Sequence, residues 1–401
     1  MSTQSEHRFG VTPVTLAALT IARTAVNVSR RFTYLFVPAL ARALGVSVGA
    51  VQGAVALQGA TGMASPLFGP SIERWGRRRT MIGCLMVMSA AGLIGSALGG
   101  FAAFTVVLAV WGLGKMVHDP ALLAWVGDRV PYARRAAAMG VTELSWALSL
   151  LVSAPVVGWL LGHGDVRLVM LAVGGGLAGG ALLVIRFVPA TSVAAERVVR
   201  VVSPWAAWLA LSVPARTAVL YSFLIVVANE VFLIDLGVWL ERTHGLGLAG
   251  LGLAALVIGG AEVLGEFLVI GLADRFGKRR MVLWGTLLSA TMYVMVPLFG
   301  GGSPVVALGF VFAAFLGVEV AFVASFPLIT SLAPGSRAVL LSANAGAHAA
   351  GRLSGAALGG VLLAVTGEFL PVTVTCFAFG AVAAVVLARQ IKEDRDDGVP
   401  V

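Results

Sequence analysis

Residues 69–79 of the chain read GPSIERWGRRR, and a similar stretch, residues 271–280, reads GLADRFGKRR. Their first glycines, Gly69 and Gly271, are 202 positions apart in a chain of 401 residues. Each stretch follows one long apolar segment and precedes another. A short basic hairpin that returns after half the chain length predicts a protein built from two similar halves.

The composition around the two hairpins is that of a membrane protein. Hydrophobic residues make up 59% of the chain and charged residues 12%, with a mean hydropathy of +0.95. Soluble domains have about 25% charged residues, so a soluble enzyme is excluded and no catalytic residues are expected. The net charge of +9 would suit a nucleic-acid-binding protein, but the basic residues concentrate between apolar segments. Cys84 and Cys376 lie inside apolar segments, so we expect no metal and no cofactor.

The apolar segments are long enough to cross a bilayer twelve times, because one span needs about 20 apolar residues. We predict an all-α membrane protein with an N-terminal bundle of six spans (1–188), a linker (189–215) and a C-terminal bundle with a short tail (216–401). Arg197, Arg200, Trp205 and Trp208 make the linker either an interfacial amphipathic stretch or a plain connection. The predicted spans centre near Ala25, Gly59, Ser89, Gly114, Leu148, Gly176, Ala228, Gly260, Ser289, Leu316, Gly351 and Phe379.

The orientation follows from the basic residues between the spans. Twenty of the 28 Lys and Arg residues fall in one set of connections, which includes both hairpins and both termini. The opposite set holds only Arg42, Arg167 and Arg242. The positive-inside rule therefore places both hairpins and both termini in the cytoplasm of a multi-pass protein of the cell membrane.

The hairpins resemble motif A of the major facilitator superfamily, G-x-x-x-D-R-x-G-R-R, which that family carries between spans two and three and again between spans eight and nine. The second copy has the acid of the pattern, Asp274, and the first departs from it with Glu73. The resemblance implies two six-helix bundles around a cavity that opens alternately to each side, with the hairpins as cytoplasmic latches. The residues it assigns to gating are Gly69, Glu73, Arg74, Gly76, Arg77, Arg78, Gly271, Asp274, Arg275, Gly277, Lys278 and Arg279.

A second motif favours the drug/proton antiporter-like branch of that superfamily. Its exporters carry G-P-x-x-G-G in span five, and residues 154–159 read APVVGW, so Pro155 and Gly158 match while the flanking glycines do not. The resemblance implies a monomeric, proton-coupled exporter of small amphipathic or hydrophobic molecules. The alternatives are an uptake symporter, a lipid translocator of the same fold, or a membrane sensor that transports nothing.

Twelve charged residues fall inside the predicted spans, five basic and seven acidic. Each costs about 2.5 to 3.5 kcal/mol at the bilayer centre, so most must be paired, hydrated or neutral. Glu262 and Glu266 share one helix face, which discourages ionisation of both. Lys115 and Asp119 suit a pair within span four, and Glu143 suits gating. The residues that we assign to proton coupling or to the substrate cavity are Glu230, Asp235, Glu262, Glu266, Arg30, Arg31, Arg352, Asn27 and Glu319. The alternative for each acid is a structural ion pair with an arginine.

Overall fold

The computed structural model describes residues 11–162, 165–190, 203–246 and 248–393. Regular structure in these ranges is helical, and the helices form twelve spans. Each predicted span centre lies within the corresponding helix, so the prediction of two six-helix halves is confirmed. Ten of the described helices are long and apolar enough to cross a membrane.

The spans of the N-terminal half are Pro13–Leu44 (span 1), Val48–Ala60 continued by the 3₁₀ turns Thr61–Phe68 and by Gly69–Trp75 (span 2), Arg77–Leu98 (span 3), Gly100–Arg129 (span 4), Tyr132–Glu143 continued by Ser145–Gly162 (span 5), and Val166–Phe187 (span 6). Span 1 carries four arginines and span 2 is interrupted, and these two spans are not among the ten.

A short helix, Pro204–Ala210, precedes the C-terminal half. Its Trp205 is 68% exposed, and the predicted interfacial residues Arg197 and Arg200 lie outside the described part of the chain. The spans that follow are Val213–His244 (span 7), Leu248–Leu268 continued by the π-helical turn Val269–Ala273 and by Asp274–Phe276 (span 8), Lys278–Gly300 (span 9), Pro304–Ser331 (span 10), Arg337–Thr366 (span 11) and Phe369–Gln390 (span 12).

Each hairpin turns on a single glycine. Gly76 joins span 2 to span 3 with φ +86°, and Gly277 joins span 8 to span 9 with φ +95°. A side chain at either position would strain the backbone, because this region of φ favours glycine. The conformation explains why both copies of the motif keep a glycine immediately before the basic residues.

The two halves meet mainly near the hairpins, at what we call the hairpin end; the opposite end is the far end. Spans 2 and 4 of the first half pack against span 11, and the first part of span 5, Tyr132–Glu143, packs against spans 8 and 10. The second part of span 5, Ser145–Gly162, packs against span 1 within its own half. The hairpin end is therefore the closed end of the molecule.

Candidate functional site

The acid of the first hairpin reaches the opposite half. Glu73 Oε1 accepts a hydrogen bond of 2.8 Å from the backbone N–H of Ala338, in the first turn of span 11. Its other oxygen, Oε2, lies 2.7 Å from Nη1 of Arg77. A carboxylate at a helix N-terminus is stabilised by the partial positive charge there. The contact joins span 2 of one half to span 11 of the other.

A second acid, Asp128 at the end of span 4, strengthens this contact. Its carboxylate lies 2.8 Å from Arg77 Nε and 2.7 Å from Arg337 Nη1, so it bridges an arginine of each half. Arg337 also donates to the carbonyl of Thr330 at 2.9 Å. Asp128 was not among the residues predicted from the sequence; its signal was an acid directly beside the basic residues that connect spans 4 and 5.

The second hairpin makes the equivalent contact in the other direction. Asp274 accepts hydrogen bonds from the backbone N–H groups of Ala136 (3.1 Å) and Ala137 (2.9 Å), in the first helical segment of span 5. Lys278 Nζ lies 2.8 Å from the same carboxylate. Each half thus places one hairpin carboxylate on backbone amides near the start of a helix of the other half. We call these contacts the Glu73 latch and the Asp274 latch.

The first glycines of the two stretches do not play the same part, which corrects one prediction. A Cβ built on Gly69 would lie 2.8 Å from the Cα of Val339, so only glycine lets span 2 approach span 11 this closely. A Cβ built on Gly271 meets nothing within 4 Å. Gly271 stands three residues before its acid, whereas Gly69 stands four before. Gly271 is therefore no counterpart of Gly69.

The residue four positions before Asp274 is Ile270, inside the π-helical turn of span 8. Its side chain packs on Gly140 of span 5, where an added Cβ would come within 2.5 Å of Ile270 Cγ1. The glycine that permits close packing therefore belongs to the hairpin span in the Glu73 latch and to the opposing span in the Asp274 latch.

In each hairpin, the second basic residue after the turning glycine binds the end of another helix. Arg78 donates at 2.7 Å to the carbonyls of Ile185 and Val188, at the end of span 6. Arg279 donates in the same way at the end of span 12. These bonds satisfy carbonyls that a helix terminus leaves unpaired. They connect each hairpin to its own half.

Two further motif residues, Arg74 and Arg275, are exposed at the hairpin end. Within the ranges that the structure describes, neither makes a hydrogen bond or an ion pair with another residue. Their assignment to gating stays a prediction.

A buried charge network occupies the middle of the N-terminal half. Arg23 lies 2.5 Å from Glu143 and 3.5 Å from Asp119, and Lys115 lies 2.5 Å from Asp119. Lys115 also donates to the side-chain oxygen of Asn27. The predicted pair within span 4 is confirmed. Arg23 as the partner of Glu143 was missed, because the two residues lie 120 positions apart.

Arg31 lies beside this network, against Trp146 of span 5. Its Nη1 donates to the backbone oxygen of Trp146 at 2.6 Å, and its guanidinium carbon lies 4.2 Å from the centroid of the Trp146 ring. Lys115 Nζ is 5.7 Å from the same centroid. Cation–π contacts of this kind are strongest where water is excluded. The cationic side chains Arg23, Lys115 and Arg31 of the N-terminal half are thus each bound to other residues of that half.

Three predicted carboxylates come together in the C-terminal half. Glu262 and Glu266 of span 8 and Glu319 of span 10 interact electrostatically with one another, and Arg31 of the other half acts on all three. A Cβ built on Gly265 would lie 2.8 Å from the Cβ of Glu319, so this glycine admits Glu319 between the two glutamates. Glu266 is 1% exposed, and its Oε2 has no hydrogen-bond partner among the described residues.

The two predicted acids of span 7 are separated from each other. Glu230 lies in the field of Arg352 and Arg30, and Arg352 also acts on Glu262. Asp235 is buried nearer the far end, against Gly359 of span 11, where a Cβ would be 3.1 Å from its Oδ2. The structure does not bring Asp235 to the other candidates, and its assignment to proton coupling or to the substrate cavity stays a prediction.

The span-five motif is placed in part. Gly158 faces Phe36 of span 1, and a Cβ built on it would lie at an ordinary contact distance of 3.6 Å. Pro155 lies in the same span, but its side chain is outside the described part of the structure. Among the residues described, no group of three His, Cys, Asp or Glu side chains is arranged to hold a metal ion.

Known proteins resemble this chain in sequence and in fold. Two uncharacterized MFS-type transporters of Bacillus subtilis (strain 168) are similar to it: YceJ, with 29% identity over 163 residues, and YwfA, with 27% over 161 residues. Each alignment covers 40% of this chain, and 41% and 38% of the relatives. The chain thus spans about two fifths of the length of the curated relatives it matches.

Solved structures share the whole fold at low identity. The proton:xylose symporter XylE matches with a TM-score of 0.76 and 13% identity, over 95% of this chain and 96% of that one. A bacterial homologue of the iron transporter ferroportin in an outward-facing state matches with 0.75 and 16%, over 94% and 98%. The human organic anion transporter MFSD10 matches with 0.74 and 16%, over 93% and 99%.

These likenesses agree with the family model. The model described as Major Facilitator Superfamily matches residues 19–271, which is more than half of the chain. Together with the doubled hairpin and its two latches, this match shows that the chain belongs to the major facilitator superfamily.

Proposed function

We propose that the protein is a proton-coupled secondary transporter that exports small amphipathic or hydrophobic molecules. The observation that carries the proposal is Glu266, a carboxyl that is 1% exposed inside an apolar span, with an oxygen that lacks a hydrogen-bond partner among the described residues. Glu262 and Glu319 stand beside it and add like charge. The cluster is suited to hold a proton rather than three negative charges.

The physical basis is the cost of a charge without a partner inside a membrane. A charged carboxylate at the bilayer centre costs about 2.5 to 3.5 kcal/mol on insertion scales, whereas its protonated form avoids most of that cost. When the cavity opens to water, the same group is hydrated and can ionise. A carboxyl that binds a proton on one side and releases it on the other couples proton flow to the conformational cycle.

The latches provide the two states that such coupling needs. A hydrogen bond to a charged group contributes about 1.5 to 3 kcal/mol, which is strong enough to favour closure and weak enough to be reversed by ligand or proton binding. We propose that the Glu73 and Asp274 latches close the cytoplasmic side. In the outward-closed state, the halves would separate at the hairpin end and meet at the far end.

The substrate class and the direction of transport are proposed from the span-five motif and from the composition of the spans. Pro155 and Gly158 favour an exporter, and the apolar residues of the spans suit poorly soluble substrates. The similar structures include a proton:xylose symporter and an organic anion transporter, and at their identity they support the fold alone. Uptake in symport with protons therefore stays the second candidate. A monomer is proposed because each latch is complete within one chain.

Flux measurements on reconstituted liposomes test the coupling. A pH gradient is imposed, amphipathic fluorescent dyes are screened, and pyranine in the lumen reports proton movement. We expect Glu266→Gln and Glu262→Gln to lose gradient-driven flux by at least about tenfold. Glu241→Gln, at an exposed carboxyl of span 7, is the matched control and should keep it. Full gradient dependence in both cavity variants would contradict the assignment, and the absence of any flux would favour a sensor.

Labelling of single cysteines tests the orientation. In a background in which Cys84 and Cys376 are replaced by alanine, Arg42→Cys lies at the far end and Arg79→Cys at the hairpin end, both at exposed positions. An impermeant maleimide added to intact cells should label the cysteine at position 42 and should reach position 79 only after permeabilisation. The reverse pattern would overturn the proposed topology.

A further inference from the structure

One carboxylate outside the two motifs also lies between the halves. Glu393, which follows span 12, accepts hydrogen bonds from the backbone N–H groups of Lys278 (3.1 Å) and Arg279 (3.3 Å), the first two residues of span 9. The same carboxylate accepts a hydrogen bond of 3.1 Å from the hydroxyl of Tyr132. Tyr132 begins span 5 of the N-terminal half, so this last bond crosses between the halves.

The surroundings hold Glu393 in position. Arg279 donates to the carbonyls of Ala388 (2.8 Å) and Ile391 (2.7 Å), which ties the end of span 12 to the start of span 9. The two amides that Glu393 accepts from are among the four that a helix N-terminus leaves unpaired, and the helix dipole favours a negative charge at this point. The carboxylate is therefore fixed within the C-terminal half, whatever the position of the N-terminal half.

The partner in the N-terminal half is buried at the junction. Tyr132 is 4% exposed and Lys278 is 1% exposed, and Lys278 Nζ lies 3.8 Å from the centroid of the Tyr132 ring. The same lysine pairs with Asp274 at 2.8 Å. The Tyr132 ring and the Asp274 latch thus both contact Lys278 in one buried region between the halves, where hydrogen bonds to a charged group are strong.

We propose that Tyr132 and Glu393 form a third latch of the hairpin end, so that Glu393 is a gating residue although it lies outside both motifs. Its bonds to the amides of span 9 persist through the cycle, because both partners belong to one half. The bond to Tyr132 forms only when the hairpin end is closed. The role in a cycle rests on the proposed transport function, but the closure itself is measured without substrate or proton gradient.

The first hairpin has the same arrangement around its arginine, but no carboxylate of the described residues 11–190 takes the place of Glu393 there. Arg78 binds the end of span 6 as Arg279 binds the end of span 12, with contacts 203 positions apart in each case. The position that corresponds to Glu393 at this offset is Ala190, which has no carboxylate. Within the part of the chain that the structure describes, the third latch therefore belongs to the C-terminal copy of the hairpin.

The test measures the distance between the hairpins. Spin labels are placed at Arg79→Cys and Arg280→Cys, two exposed positions of opposite halves, in the background with Cys84 and Cys376 replaced by alanine. Double electron–electron resonance in liposomes without a pH gradient then gives the ratio of open to closed hairpin ends. We expect Tyr132→Phe to raise this ratio by about tenfold, because it removes a hydrogen bond to a charged group and keeps the ring.

Two further variants show whether a change in the open-to-closed ratio comes from the bond between Tyr132 and Glu393. Tyr221→Phe is the matched control, since the Tyr221 hydroxyl is 2.7 Å from Thr286 Oγ1 within the C-terminal half, and it should leave the ratio unchanged. Glu393→Gln should also raise the ratio, and the double variant with Tyr132→Phe should exceed neither single variant by more than about twofold. An unchanged ratio in Tyr132→Phe, or fully additive effects, would overturn the third latch. Since Tyr132→Phe leaves Glu393 and its amide bonds in place, it decides the question if Glu393→Gln does not fold.

Discussion

The two latches occupy equivalent places in the two halves and use different donors. Glu73 accepts from one backbone amide of span 11 and relies on the ion pairs of Asp128 with Arg77 and Arg337. Asp274 accepts from two backbone amides of span 5 and has Lys278 beside it. A duplicated motif thus preserves the place of a contact but not its chemistry. The first latch combines one backbone amide with ion pairs between side chains, whereas the second combines two backbone amides with one lysine.

The largest difference between the two hairpins is expected when a side chain is added at the first glycine of each stretch. Gly69→Val should abolish closure of the hairpin end and reduce flux by at least about a hundredfold, because even a Cβ would lie 2.8 Å from a backbone atom of span 11. Gly271→Val meets no neighbour within 4 Å and should keep closure and most of the flux. Spin-label distances across the hairpin end measure both variants. Equal damage would mean that the two glycines are counterparts after all.

The next largest effect concerns the acid with two amide partners. Asp274→Asn should raise the open-to-closed ratio by about 10- to 100-fold, because it removes the charge from two hydrogen bonds and from the pair with Lys278. Glu73→Gln should have a smaller effect, since the charge is removed from only one hydrogen bond to a backbone amide. The same distance measurement compares them. A larger effect for Glu73→Gln would place the main closing energy in the first hairpin.

Salt should separate the two latches further. Asp128→Asn removes the ion pairs with Arg77 and Arg337 and should raise the open-to-closed ratio by about five- to tenfold. Because Asp128 is partly exposed, raising the ionic strength from about 0.05 to 0.5 M should partly reproduce this variant in the wild-type protein. Spin-label distances measured against salt concentration test it. A wild-type ratio that does not change with salt would contradict an ionic first latch.

The smallest effect is expected for the departure from the motif. Glu73→Asp retains the charge and shortens the side chain by one methylene, so we expect a change in flux of less than about threefold. Glu73 lies 2.8 Å from the backbone N of Ala338 and 2.7 Å from Arg77 Nη1, and one of these contacts should lengthen. Flux into liposomes, measured for Glu73→Asp and for Asp274→Asn, shows which of the two hairpin acids contributes more to transport. Equal loss in both variants would remove the asymmetry.

Part of the site could be predicted from residues alone. The carboxylates at positions 73 and 274 were identified from the repeated spacing, and the pair of Lys115 with Asp119 from their separation of four along a helix. The pairing of Arg23 with Glu143 and the partner of Asp128 in the other half, Arg337, could not be found, because these partners lie on spans that the chain order does not place together. The same limit hid Ile270, whose glycine partner is on another span.

The sequence by itself determined the twelve spans and the two turning points. A membrane crossing requires about 20 apolar residues, and a positive φ of +86° or +95° favours glycine, so both features depend only on neighbours in the chain. The tertiary structure alone decided which amides receive the two hairpin acids and which acids of the spans come together. Those outcomes depend on how six-helix halves meet, because helix termini and side chains from distant positions then share one buried space.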